Sequence, residues 1–104
     1  MTINAELADY PEVERRALQL TQLLKDHGKE DGVVHSAFCY IESVILRHVI
    51  KLFRAGKLYG GRVDEVMKSQ GFDNWTEEQV VTVAAIQAIE HWSSKELGIS
   101  LPTR

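Results

Sequence analysis

The chain predicts an all-α fold: a four-helix bundle-like single domain with helices at about 9–27, 33–55, 62–70 and 77–97, completed by dimerisation. Apolar residues recur at helical spacing in four stretches, and a glycine or a capping pattern punctuates each of them. No stretch alternates apolar and polar residues long enough for a half-buried strand; Gly32-Val33-Val34 is too short. The 104 residues suffice for one core and leave no room for a separate catalytic domain, so residues 1–104 form a single helical domain.

Residues 1–8 are short and without period, and are expected to form a flexible N-terminal arm. Asp9 with Glu12 three residues on resembles a capping box, and Pro11 tolerates a first turn because its missing N–H has no partner there. Val13, Ala17, Leu20 and Leu24 follow on one stripe, and Gly28 is a glycine stop. The link from Gly28 to Gly32 is short, so the next helix returns antiparallel.

That second helix, Val33 to Ala55, is the most informative stretch of the chain. At 100° per residue, Val34, Phe38, Ile41, Ile45, Val49 and Leu52 form a central stripe. Val44, Leu46, Ile50 and Phe53 widen it to an arc of roughly 240°. A helix with so little polar face needs neighbours on several sides, from its own chain or from a second subunit. The third helix, 62–70, turns Val63, Val66 and Met67 inward, and Gly71-Phe72 fits a C-terminal motif in which Phe72 packs back on Met67. At Trp75-Thr76-Glu77-Glu78-Gln79-Val80, Thr76 and Gln79 match a capping box while Trp75 and Val80 occupy the positions of a hydrophobic staple. The last helix starts there, turns Val81, Ala84, Ala85, Ala88 and Trp92 to one face, and stops near Gly98, leaving 99–104 as a short tail. Its alanines allow a neighbouring helix to approach closely.

Four residues of the long helix bear chemistry. Glu42 falls inside the apolar arc, where an unpaired carboxylate is expensive and its pKa rises, as in acid-base catalysts. The commoner role for such a glutamate is a rim residue or the partner of an arginine. Cys39 and His35 lie one and two turns earlier on nearly the same side, a ladder able to hold zinc only if other helices or a second subunit complete the shell; Cys39 is more often a small buried hydrophobe than a ligand. His48 falls in the central stripe, where it serves either as a pH-sensitive contact or, more commonly, as a core histidine with one hydrogen bond. His91, beside Glu90 on the less apolar side of the last helix, reads as a polar residue of the surface or of a subunit contact.

No two-histidine zinc helix, no paired carboxylate-and-histidine motif and no nucleotide-binding glycine loop is present, so no metal or cofactor is expected and an enzyme is the minority reading. Arg47, Lys51, Arg54 and Lys57 form a basic strip that suits an anionic partner, although cations at a helix C-terminus also complement its dipole. A helix-turn-helix over 63–84 fails, because the turn is too long and Glu77-Glu78 would meet DNA phosphates. The net charge of −3 selects no partner. The start of the chain does not read as a signal peptide, Glu42, Arg47 and His48 interrupt the longest apolar run against a membrane span, and the single cysteine fits a cytoplasmic protein.

The expected function is that of a homo-oligomeric binding or adaptor protein, because the long helix and the alanine-rich last helix offer more apolar surface than the other two can cover. A small-molecule or catalytic pocket around Glu42 is the first alternative, and polyanion or nucleic-acid binding through the basic strip is the second.

Overall fold

Pro11 opens α1 (Pro11–Asp26), with Glu12 and Glu14 in the first turn and Lys25 in the last, each on the side of the helix dipole that favours its charge. Val13, Ala17, Leu20 and Leu24 are buried, as their spacing predicts. Asp9 does not cap this helix; its carboxylate accepts from the Glu6 backbone N–H at 3.3 Å, and Tyr10 takes the cap position. At Gly28 the backbone turns left-handed (φ +76°), and the Lys29 N–H donates to the Leu24 carbonyl at 3.0 Å, closing the helix end.

The computed structural model describes residues 5–102. Among them there are four helices and no strand, and the fold is all-α. The second helix is one rod in three parts: α2 (Asp31–Tyr40), a π-helical turn (Ile41–Leu46) and α3 (Arg47–Arg54). Then come a 3-10 turn (Leu58–Gly61), α4 (Val63–Ser69) and α5 (Glu77–Glu96). The α2 half packs on α1, whereas the π turn and α3 pack on α5; α1 and α5 also touch, so three helices share the core, to which α4 adds Met67.

The π turn changes which residues of the rod are inside. Up to its first residue, Val34, Ala37 and Ile41 are buried; within it Ile45 is, and from its last residue on, Leu46, Val49 and Ile50 are. Ile41 and Leu46 are five residues apart, one more than an α-helical repeat allows on one face, so the second half is turned by about 100° from a uniform wheel. One expectation is corrected: His48, expected in the central stripe, is exposed. The flank of Leu46 and Ile50, placed in the apolar arc, is fully buried within one chain. The other flank stays open: Val33, Tyr40 and Val44 are 42%, 39% and 45% exposed.

α5 is the most enclosed helix, with Val80, Val81, Ala84, Ala85, Ile86 and Ile89 all inside. It begins as its sequence predicts: Gln79 N–H donates to Thr76 Oγ1 at 3.2 Å, and Thr76 N–H donates to Gln79 Oε1 at 3.0 Å. Trp75 stands edge-on to Phe53 and donates its indole N–H to Asp64 at 2.7 Å, tying the loop before α5 to both α3 and α4. Phe72 N–H donates to the Met67 carbonyl at 2.9 Å, the predicted closure of α4. Tyr59 adopts a left-handed backbone (φ +54°), uncommon for a bulky side chain. Its hydroxyl donates to Gln87 of α5, and burial raises its pKa.

Residues 1–4 of the expected arm lie outside the described residues, but the remainder is packed. Ala5 and Leu7 are 5% and 1% exposed, and Leu7–Asp9 form a 3-10 turn. At the other end Ile99 is buried and Leu101 half-buried, so the described part of 99–104 lies against the core rather than hanging from it.

Candidate functional site

Glu42 sits in the π turn, half-buried, and its Oε2 accepts the Leu7 backbone N–H at 2.9 Å. This bond joins residues 35 apart in sequence and holds the N-terminal turn against the rod. The carboxylate thus has a structural partner, and Glu42 lines none of the hollows described below.

Of the expected ladder, the structure brings together only two rungs. The Cys39 sulfur lies 3.4 Å from His35 Nε2, both residues exposed; His35 also edges a shallow hollow with Asp31 and Lys25. Glu42 points instead to Leu7. Among the described residues no three His, Cys, Asp or Glu side chains converge as a metal site. His48 is exposed and apart from these two.

The basic strip is partly occupied by acids. Arg54 Nε donates to Glu77 Oε1 at 3.0 Å, and that hydrogen bond holds the Arg54 pKa above its ordinary value. The pair crowds Tyr10, whose pKa is raised by burial first and by the Glu77 charge second. Arg47 shares a small cleft with Glu6 and Asp9. Lys51 and Lys57 are exposed.

A larger feature lies on the rod's open flank. Tyr40 stacks on Trp92 of α5, ring centroids 4.7 Å apart and planes 21° from parallel. Val33, Ala37, Tyr40, Trp92 and Leu97 line a shallow depression of about 460 Å³, edged by Glu30 and Ser36. Val44 continues the same side of the rod one turn beyond Tyr40.

Two features escaped the sequence reading. Arg16 is buried: its guanidinium donates to Gln19 Oε1 at 2.7 Å, to the Pro102 carbonyl at 2.9 Å and to Glu90 Oε1 at 3.3 Å, while Nε finds no partner among the described residues. Its spacing from Val13 and Leu20 places it on the buried stripe of α1, which is the signal that could have found it. The second is a groove of about 650 Å³ along α5, between the first turn of α1 and the C-terminal segment that Arg16 secures.

By length and composition Asp31–Gly61 is also apolar enough to cross a membrane, Glu42, Arg47 and His48 notwithstanding; a core helix meets the same criterion, and here its inner face packs on α1 and α5. Comparison with protein-family models, with curated proteins and with solved structures finds no match to this chain.

Proposed function

We propose that this protein is a helical binding module whose first partner is a second copy of itself, joined through the open flank of the rod. The observation that carries the reading is the apolar and aromatic surface of Val33, Tyr40 and Val44, exposed within one chain, with half-buried Trp92 stacked on Tyr40. Such a surface has the composition of an interface centre, where tyrosine and tryptophan contribute large area at small entropic cost. The stretch from Val33 to Val44 spans only about 16 Å of helix, so the patch covers a few hundred Å² and a standard interface of roughly 800 Å² per partner must include its polar rim. A dimer stable at micromolar concentration follows, rather than an obligate one. The reducing cytoplasm suits its one exposed cysteine.

Neither alternative gains a comparable observation. The pocket reading needs a free Glu42 carboxylate, and Leu7 engages it. The polyanion reading needs four free cations, and Arg54 is paired with Glu77.

Sedimentation equilibrium at micromolar concentration tests the proposal. The native chain is expected as a dimer and Val44→Asp as a monomer with an unchanged far-ultraviolet circular dichroism spectrum, because Val44 is exposed in the protomer. A native monomer, or a Val44→Asp dimer, would overturn it.

A further inference from the structure

The groove along α5 is built differently from the open flank of the rod. Glu78, Thr82, Ile86 and Glu90 follow one another at four-residue spacing and all line it, so its α5 wall runs three turns, about 18 Å, with a carboxylate at each end. Phe72, Val83, Ile86 and Leu101 make the middle apolar. Glu12 of α1 adds a third carboxylate, and among the described residues no Lys, Arg or His lines the groove. Leu101 keeps its place because the next carbonyl, that of Pro102, accepts from buried Arg16.

The acids are not all idle. Glu12 pairs with Arg15 at 2.7 Å, but both side chains are more than half exposed, and such pairs are weak enough to exchange. Glu90 meets Arg16 through Oε1 at 3.3 Å, leaving Oε2 available, and Glu78 has no ion-pair partner among the described residues. A volume of this size lies within the range of small-molecule sites.

We propose that this groove binds a linear α,ω-diamine, a hydrocarbon chain with an ammonium at each end, its chain on Val83, Ile86 and Leu101 and its cations at Glu78 and Glu90. Charge complementarity selects the occupant: an anionic ligand would meet three carboxylates, whereas a neutral hydrocarbon would leave Glu78 without a counter-charge and one oxygen of Glu90 unmatched. The proposal stands apart from self-association, since no residue of the groove belongs to the face around Tyr40.

Titration of the ¹⁵N-labelled protein with 1,12-diaminododecane, 1,4-diaminobutane and 1,12-dodecanediol, followed by amide NMR, tests it. The long diamine is expected to shift Thr82, Val83, Ile86 and Leu101 in the native chain. Loss of both charge-assisted contacts predicts at least about tenfold weaker binding for the diol, and a similar loss for the diamine with Glu78→Gln/Glu90→Gln. Diaminobutane, too short to span the stripe, is expected to bind as weakly as the diol. Glu90→Gln retains an acceptor for Arg16, so a native-like spectrum of the double variant separates lost charge from lost fold. Equal binding of diol and diamine, undiminished diamine binding by the variant, or shifts absent from the groove would each overturn the proposal.

Discussion

Glu42 shows how one side chain can look catalytic in a sequence and be structural in a fold. On a helical wheel it is an acid among hydrocarbons; in the structure its Oε2 receives the Leu7 N–H across 35 residues. A hydrogen bond to a charged acceptor at a half-buried site is worth about 1.5–3 kcal/mol. Glu42→Ala is therefore expected to lower stability in urea by about 1–2 kcal/mol and to speed amide exchange at Leu7, with Glu42→Gln between it and the native chain. Unchanged exchange at Leu7 would show that the bond does not anchor the N-terminal turn. Arg16 presents the opposite case, a charge whose burial the α1 spacing implied. Its partner Glu90 is 42% exposed at the side chain, so removing the arginine leaves no stranded acid. Arg16→Ala is expected to cost about 2–3 kcal/mol, mainly in lost packing, and Arg16→Met to recover most of that in urea unfolding. Equal losses in the two variants would instead assign the role to the charge.

At the scale of elements, the C-terminal ends of α1 and α4 and the start of α5 were legible because each has a local chemical cause, whereas Asp9 does not cap α1 and the rod begins at Asp31. Gly28 and Gly71 close α1 and α4 with the predicted backbone bonds, and the Thr76 and Gln79 box opens α5 at the predicted residue. The rod was legible in extent and illegible in phase. Nothing in the run Ile41-Glu42-Ser43-Val44-Ile45-Leu46 marks a π turn, whose extra residue is set by how α1 and α5 grip the two halves. A uniform wheel therefore misplaced His48. Because a π turn is a one-residue insertion in an α-helix, deleting exposed Ser43 leaves both halves of the rod in phase. That deletion is expected to fold with a stability change of about 1 kcal/mol or less, whereas deleting exposed Lys51 from regular α3 turns Leu52 and Phe53 away from the core by about 100° and is strongly destabilising. Urea unfolding of the two deletions decides the point, and similar losses would contradict the insertion account.

For the whole molecule, the sequence implied more apolar surface than one chain could cover, and the fold divides that surplus. Leu46 and Ile50 are covered by the chain itself; Val33, Tyr40 and Val44 are left in solvent, with Trp92 laid against Tyr40. The acidic groove on α5 was not visible in advance, since it joins residues of α1, α5 and the C-terminal segment, and no local pattern reports such a convergence. The two surfaces predict separable behaviour: a substitution at Val44 alters association and leaves diamine binding in place, and substitutions at Glu78 and Glu90 do the reverse.

An isologous dimer brings the open flank of one copy against the same flank of the other. The most direct measurement is an isotope-filtered NOE experiment on a mixture of ¹³C-labelled and unlabelled chains. Cross-peaks between the Val44 methyls of one copy and the Tyr40 or Trp92 ring of the other are the predicted result. A dimer without those cross-peaks, or no dimer to observe, would contradict the account.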